Sequence, residues 1–206
     1  MKAPINESTS FNEVTIGSQV WMVDNLNLAK FRNGDAIPYA KTAEEWEEAG
    51  QNKQAAWCYY DNKPENGTKY GRLYNWYAVN DPRGLAPKGW HIPSDDEWTL
   101  LTDYLGEEDD PGTKMKSTNG WGEEGNGTNS SGFNGVPGGS CYGSGIFDGI
   151  GTPNDNLFCA CFGNWWSSTV SKGKSAWVRI LFYSHGSVQR CDYGKERGFS
   201  VRCLRD

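Results

Sequence analysis

The chain has 206 residues, enough for one domain that buries a core without help from disulfides or metals. Its net charge of −6 comes from interspersed acidic and basic residues, which leaves no basic stripe for nucleic acid or anionic lipid. No stretch approaches the roughly 20 apolar residues of a membrane span. We therefore expect a soluble chain with no nucleic-acid partner and no membrane insertion.

Aromatic side chains are expected to dominate the core. Only 36% of the residues are apolar, but they include 10 Trp, 10 Tyr and 8 Phe, which bury large areas from few positions. Six cysteines allow 15 pairings, and the sequence does not choose among them. Cys159 and Cys161 lie two residues apart, a spacing that suits neither a mutual disulfide nor a zinc knuckle, so we expect no zinc.

The N-terminal segment is predicted to be a polar tail followed by a hairpin. Residues 1–10 lack the apolar stretch of a signal peptide and form the tail. Short apolar runs flank Gly17 and Ser18, which is typical of two strands joined by a tight turn over residues 13–23.

Two helices are predicted before residue 81. Thr42 and Glu45 form a capping-box pattern, and with Gly50 at the far end they predict a helix over residues 43–49. Apolar residues at helical spacing predict another over residues 70–80, because an Asp-Pro pair follows and ends the pattern.

A third helix has the clearest signals. The Ser94 hydroxyl can cap its first turn while Glu97 reaches back, and apolar residues then line one face up to Gly106. We interpret Asp95 and Asp96 as carboxylates that interact favourably with the positive end of the helix dipole, in preference to a catalytic or metal role.

Residues 106–151 are predicted to form one long excursion of ordered loops. They contain 14 of the 26 glycines, and Trp121, Phe133 and Tyr142 are spaced along them as candidate anchors to the core. We therefore place no domain boundary here, and we expect one domain over residues 11–206.

The remaining chain is predicted to form an antiparallel sheet, with strands at 158–162, 165–169, 175–183, 187–191 and 199–204. In the last strand Phe199, Val201 and Cys203 alternate with Ser200 and Arg202, which predicts one buried and one wet face.

The strand over residues 175–183 is apolar on both faces. Val178, Ile180 and Phe182 alternate with a second apolar set. One interpretation is a central strand that is covered on both sides, and the other is an exposed apolar patch that meets a partner.

Few residues carry readable chemistry. His91 precedes a helix cap, where a bond to nearby backbone is the expected role, and His185 lies at a turn, exposed or in contact with a ligand. No phosphate loop is present.

We expect no cofactor. The alternative is a calcium-binding loop, because four oxygen-bearing side chains lie close together in the sequence. These are Asp148, Asn154, Asp155 and Asn156. Such side chains can also simply build turns.

Six motifs spread over nearly the whole chain resemble those of one family. They are GSQVWM at 17–22, YGRLYNWYAV at 70–79, GWHIPS at 89–94, SGF at 131–133, WWSST at 165–169 and GFSVRC at 198–203. With them the chain resembles the Fibrobacter succinogenes major paralogous domain of bacterial surface proteins, a relative of the formylglycine-generating-enzyme branch of the C-type lectin-like fold.

The resemblance implies an α+β domain of C-type lectin-like fold, with two main helices, a compact antiparallel sheet and long irregular loops. Enzyme activity does not carry over, because the closely spaced reactive cysteine pair of the enzymes is absent near the C-terminus. The calcium-and-sugar motif of animal lectins is also absent, so a lectin-like fold does not imply lectin activity.

Residues 175–206 are also similar to the variable region of proteins diversified by diversity-generating retroelements. In such proteins, adenine-directed mutagenesis randomises exposed positions while the fold holds the backbone rigid. The similarity implies eight variable, ligand-binding positions, which are Val178, Ile180, Phe182, Ser184, His185, Cys191, Asp192 and Tyr193.

These observations together predict a non-catalytic ligand-binding domain of receptor or adhesin type. It would bind a protein or glycan ligand through residues 175–193, on a bacterial cell surface, with a phage particle as the alternative location. The alternative functions are a carbohydrate-binding adhesion module that uses the glycine-rich loops and, less favoured, a formylglycine-generating-type enzyme. If Val178, Ile180 and Phe182 face outward, replacing all three with Ser leaves folding intact.

Overall fold

The computed structural model describes residues 11–106, 110–122, 124–150 and 161–206. Within these ranges the α-helices are α1 (Ala43–Gln51), α2 (Asn66–Tyr70), α3 (Trp76–Val79), α4 (Asp95–Leu105) and α5 (Pro111–Met115). The strands are β1 (Glu13–Ile16), β2 (Gln19–Met22), β3 (Trp57–Cys58), β4 (Leu73–Asn75), β5 (Trp90–His91), β6 (Ser140–Cys141), β7 (Phe147–Asp148), β8 (Phe162–Val170), β9 (Ser175–Phe182), β10 (Val188–Gly194), β11 (Gly198–Phe199) and β12 (Leu204–Arg205). Short helices thus combine with antiparallel strands, which confirms the α+β class.

The strands form three sheets where the sequence predicted one. Their orders are β1-β2-β12-β5, β3-β4-β11-β6-β7 and β10-β9-β8. The predicted opening hairpin is confirmed: Ile16 pairs with Gln19, and Gly17 takes the positive φ of +60° that the tight turn requires. In the same sheet Leu204 pairs with both Trp21 and His91, so strands from opposite ends of the described chain hold one sheet together.

The two longest helices confirm two of the three helix predictions. The Ser94 hydroxyl accepts from the Glu97 backbone NH, and the Glu97 carboxylate accepts from the Ser94 NH at 2.7 Å, which completes the capping box of α4. In α1 the Thr42 hydroxyl caps the helix as predicted, but the Glu45 carboxylate accepts from Lys41 instead. This helix also continues through Gly50 to Gln51.

The helix predicted over residues 70–80 is wrong in its first half. Tyr70 ends the preceding helix α2, Leu73–Asn75 is strand β4, which pairs with β3 on one side and β11 on the other, and a new helix spans Trp76–Val79. The side-chain oxygen of Asn75 accepts from the NH groups of Ala56 and Ala78, so this residue ends the strand and caps α3. Strand partners distant in sequence thus override the local helical spacing.

The described parts of the glycine-rich excursion are mostly loops, as predicted, but they also contain helix α5 and the β6–β7 hairpin, which the sequence did not predict. Trp121 and Phe133 are fully buried, whereas Tyr142 is only half-buried. The Lys116 ammonium is buried and donates to the carbonyls of Phe182 and His185, each at 3.1 Å, which fixes the turn between β9 and β10. Burial lowers the pKa of Lys116. The glycine-rich excursion therefore contacts and stabilises the sheet formed by β8, β9 and β10.

The core is aromatic, as expected. The ring of Trp21 lies 4.7 Å from that of Trp98 and 5.8 Å from that of Phe133, which in turn lies 5.8 Å from that of Trp165. Such tilted and edge-to-face arrangements are the favoured ones for aromatic rings. The five cysteines in the described ranges are free thiols, and Cys203 is buried as predicted.

The predicted wet face of the closing segment is wrong. Ser200 and Arg202 are as buried as Phe199, Val201 and Cys203. The segment divides into the short strands β11 and β12 and is covered on both sides. Of the predicted strand over residues 158–162, the first three residues lie outside the described ranges.

Candidate functional site

Strand β9 is covered on both faces, so the interpretation as a central strand is correct. Val178 and Ile180 are 0% and 2% exposed, and they pack in the core cluster that contains Trp166 and Phe199. On the other face Leu181 packs in the cluster of Trp98 and Trp165. The placement of Val178 and Ile180 on an outer face is therefore wrong, because the five-stranded sheet and the preceding helices cover that side.

A cleft of about 130 Å³ lies between the three-stranded and five-stranded sheets. One wall comes from strands β8, β9 and β10, and the other from the β6–β7 hairpin and the β10–β11 connection. Its lining residues are Ser140, Tyr142, Asp148, Phe162, Asn164, Ile180, Phe182, Tyr193, Arg197 and Phe199. Three of the eight predicted site residues therefore meet here, namely Ile180, Phe182 and Tyr193.

The polar side of the cleft is organised around Arg197. Its guanidinium carbon lies 4.6 Å from the ring centroid of Tyr142 and 4.6 Å from that of Tyr193. The Tyr142 hydroxyl donates to the Asp148 carboxylate at 3.1 Å. Burial and this carboxylate raise the pKa of Tyr142, and burial raises that of Tyr193, so both phenols are neutral hydrogen-bonding groups at neutral pH.

The interior of the cleft combines a buried amide with apolar rings. Asn164 is 3% exposed, and its amide donates to the Gly139 carbonyl at 3.3 Å. The rings of Phe162 and Phe182 lie 6.1 Å apart, and that of His185 lies 5.2 Å from Phe182. The cleft thus offers flat apolar surfaces beside fixed polar groups, the combination that small ligands require.

The other predicted site residues are dispersed. The Asp192 carboxylate accepts from the Ser171 hydroxyl at 2.9 Å and lies on the opposite face of the sheet from Tyr193. Cys191 is half-buried against the core, and His185 pairs with the Ser187 hydroxyl at 2.8 Å. Ser184 is exposed in the turn after β9. The eight residues therefore do not form one surface.

The opposite face of this sheet carries a buried ion pair. The Asp95 carboxylate accepts from Arg179 at 2.6 Å and from Arg190 at 2.7 Å, and the Arg190 guanidinium stacks on the Trp177 ring at 3.4 Å. Burial alone raises the pKa of Asp95, but the hydrogen bonds from both arginines outweigh it and hold the pKa below its usual value. Asp95 thus joins α4 to the sheet, a role beyond the predicted dipole interaction.

His91 bonds to carboxylates, where the sequence predicted a bond to backbone. Its Nδ1 lies 2.9 Å from the Asp206 carboxylate and its Nε2 lies 2.9 Å from that of Glu97. Burial lowers the pKa of His91, but the Asp206 and Glu97 carboxylates raise it by a larger amount. The net shift of the pKa is therefore upward. Both ring nitrogens are therefore engaged in structural contacts.

Sequence reasoning missed the polar half of the cleft. Asp148 was considered only as a calcium ligand and Tyr142 only as an anchor, while Asn164 and Arg197 carried no motif. Tyr142 and Asp148 belong to the β6–β7 hairpin, Asn164 to β8 and Arg197 to the β10–β11 connection, and the pairing of β11 with β6 brings the hairpin and that connection together. No local spacing could have indicated that meeting.

Metal sites receive no support from the part of the chain that the structure describes. It contains no group of three or more His, Cys, Asp or Glu side chains placed to hold a metal ion. Of the four calcium candidates, Asn154, Asp155 and Asn156 lie outside the described ranges. The described ranges also contain no helix long and apolar enough to cross a membrane.

Comparison with known proteins gives one match. The model of the Fibrobacter succinogenes major domain family matches residues 14–205, which is nearly the whole chain. No curated protein and no solved structure matches the chain. The family resemblance carried by the six sequence motifs is thereby confirmed.

Proposed function

The chain belongs to the Fibrobacter succinogenes major domain family, and from that premise we propose that it is a non-catalytic ligand-binding domain of the bacterial cell surface. Its binding site is the cleft between the three-stranded and five-stranded sheets. The observation that carries this proposal is the contact of Arg197 with the rings of Tyr142 and Tyr193, together with the bond from the Tyr142 hydroxyl to the Asp148 carboxylate. These groups hold one another in place, so a ligand would meet a preorganised site.

The chemistry of the cleft favours a glycan ligand. A volume of about 130 Å³ accommodates a group of roughly the size of one sugar ring. Sugar rings present apolar faces to aromatic side chains and hydroxyl groups to carboxylates, amides and guanidinium groups. The cleft supplies the first through Phe162 and Phe182, and the second through Asp148, Asn164 and Arg197.

A non-catalytic role is supported by the state of the candidate nucleophiles. Burial raises the pKa of the thiols of Cys58, Cys191 and Cys203, which keeps them protonated and weakly nucleophilic. Both ring nitrogens of His91 are occupied by carboxylates. A thiol-based reaction of the formylglycine-generating type is therefore the less favoured function.

The C-type lectin-like fold and retroelement diversification are part of the same proposal. The first is supported by the combination of two longer helices, short antiparallel strands and ordered loops. For the second, six of the eight candidate positions are at least partly accessible, whereas Val178 and Ile180 are core positions. Diversification of residues 175–206 would then have to spare these two codons.

The binding proposal is tested on a glycan array with three purified proteins. We expect the wild-type domain to bind a subset of cell-wall glycans and Tyr142→Ala to lose at least about tenfold in affinity, through the lost ring contact and the loosened Arg197. Tyr104→Ala is the matched control, because this tyrosine is 64% exposed on α4 and lies outside the cleft. Equal binding by the two variants would refute the assignment of the cleft.

The diversification proposal is tested on neighbouring DNA. We expect a near-copy of the codons for residues 175–206 beside a reverse-transcriptase gene, with differences at adenines and none at the codons of Val178 and Ile180. A neighbourhood without such a copy would leave a binding domain of fixed sequence.

A further inference from the structure

Arg202 is a fully buried cation that, among the described residues, donates hydrogen bonds only to neutral groups. Its guanidinium stacks on Phe133 at 4.0 Å from the ring centroid and lies 5.7 Å from that of Trp165. One Nη donates to the Asn25 side-chain oxygen at 3.0 Å, and the other donates to the Phe133 carbonyl. Among the residues that the structure describes, none accepts a hydrogen bond from the Nε.

Such an arrangement is unusual, since buried charges are normally paired with an opposite charge. Burial lowers the pKa of Arg202 to about 9, so the guanidinium remains charged at neutral pH. Asp24 is the carboxylate that opposes this shift, but it forms no ion pair with Arg202 and accepts from Asn12 instead. A structural role, in which Arg202 links the backbone of Phe133 to the side chain of Asn25, explains the two Nη bonds. It leaves the Nε without an acceptor and the guanidinium without an ion-pair partner among the described residues.

Arg202 lies in the wall of a second pocket, of about 200 Å³, which shares no lining residue with the cleft. Lys69 lies in the same wall, exposed, with its ammonium 4.7 Å from the Tyr70 ring and without a carboxylate partner among the described residues. Asn134 contributes an amide whose side chain has no hydrogen-bond partner in the described ranges. Asp24 and Thr68 also line this pocket.

We propose that this pocket binds an oxoanion, namely the phosphate, sulfate or carboxylate group of a ligand. Lys69 contacts the anion directly, and Thr68 and Asn134 donate hydrogen bonds to it. Arg202 lies at the inner wall and supplies the charge that the protein leaves unpaired. Two cations against the single carboxylate of Asp24 make the pocket positive within a protein whose net charge is −6.

The test measures thermal unfolding and calorimetric binding with four probes at constant ionic strength, set with chloride. The probes are inorganic phosphate, sulfate, glucuronate and, as the neutral control, glucose. We expect a saturable rise in Tm with at least one anion and none with glucose. A rise that grows linearly without saturation reflects general exclusion of the salt from the protein surface and overturns the proposal. Preference for glucuronate assigns an acidic glycan, and preference for phosphate or sulfate assigns an inorganic or esterified oxoanion.

Two further measurements locate the anion. Lys69→Gln is expected to weaken binding at least tenfold, whereas Lys172→Gln, which removes the same charge from the exposed turn between β8 and β9, leaves it unchanged. Because replacement of Arg202 is expected to unfold the domain, its role is read in the wild-type protein from the ¹⁵N resonance of its Nε. A shift on saturation is expected. An unmoved resonance, or equal affinity in the two lysine variants, overturns the site.

Discussion

The sheet formed by β8, β9 and β10 is buried on both faces, but the interactions that attach the neighbouring elements differ between the two faces. On one face Val178 and Ile180 pack in an apolar core whose margin opens into the cleft. On the other face Arg179 and Asp95 form a buried ion pair that joins the sheet to α4. The first face tolerates an opening at its margin because its packing is distributed over many residues. On the other face, the ionic face, Leu181 also packs in an apolar cluster, but the ion pair depends on a single carboxylate.

This difference bears on where a ligand can bind. An apolar pattern on both sides of a strand was the reason to expect an exposed binding face, and both sides are in fact buried. The accessible chemistry lies at the margin, where Phe182 and Tyr193 meet Tyr142 and Arg197 from another sheet. The most informative experiments therefore perturb the two faces separately.

The largest expected effect comes from the triple replacement of Val178, Ile180 and Phe182 with Ser. Each large-to-small change at a buried position costs about 2–5 kcal/mol, and the sum is comparable with the total stability of a domain. We expect loss of the cooperative unfolding transition in urea, followed by tryptophan fluorescence. Phe182→Ser alone, at the half-buried margin, should retain that transition. A cooperative triple variant would show instead that this face is not core.

Arg179→Met tests the ionic face. Removing one partner of a buried pair costs about 3–5 kcal/mol, and we expect about 3 kcal/mol because Arg190 still contacts Asp95. Arg190→Met is the matched control: its side chain is 47% exposed, so the loss should stay below about 1 kcal/mol. Urea denaturation measures both values. Equal losses would mean that the buried pair contributes no more than a surface pair.

Acid should weaken the ionic face selectively. The pKa of Asp95 is lowered in the folded protein, so its contribution to stability is present above the unfolded value of about 3.9 and is lost as the pH falls through the folded value. We expect Tm to decline less steeply below about pH 4 in Asp95→Asn than in the wild type. Asp96→Asn, the exposed neighbour on the same helix turn, should keep the wild-type slope. Parallel slopes in the two variants would assign the acid response elsewhere.

The smallest expected effect concerns His91, near the start of α4. Its pKa is raised in the folded protein, so the contribution of the charged ring is present below the unfolded value of about 6.5 and is lost as the pH rises through the folded value. His91→Gln should remove a pH dependence of less than about 1 kcal/mol, because the group is partly exposed. His185→Gln is the control, since no carboxylate pairs with it among the described residues. Unfolding midpoints between pH 5 and 8 measure the difference.

Signals that act within a few residues were sufficient to predict part of the fold. The turn at Gly17, the capping box of Ser94 and Glu97, and the strand predicted over residues 175–183 follow from local spacing and turn chemistry. The family motifs added the α+β class. In the candidate site, Ile180, Phe182 and Tyr193 are among the positions that the similarity to diversified proteins implies.

The rest depends on contacts between distant residues. The segment at Leu73–Asn75 has apolar residues at helical spacing, but partners from β3 and β11 make it a strand. Arg202 appears in a polar position of an alternating strand, yet Phe133 and Trp165 enclose it. Arg197 and Asp148 became site residues only through the approach of two sheets. Alternation predicts which side chains share a face, and only the packed structure decides which face is wet.

The pairing of Leu204 with Trp21 has a consequence for biosynthesis. The hairpin of β1 and β2 leaves the ribosome before its neighbour β12, which is roughly 180 residues further along the chain. Until that strand emerges, one edge of the hairpin has unpaired backbone groups and Trp21 lacks part of its cover. This sheet therefore cannot form completely until β12 has been translated. Until then the exposed edge of the hairpin is a site that a chaperone could cover.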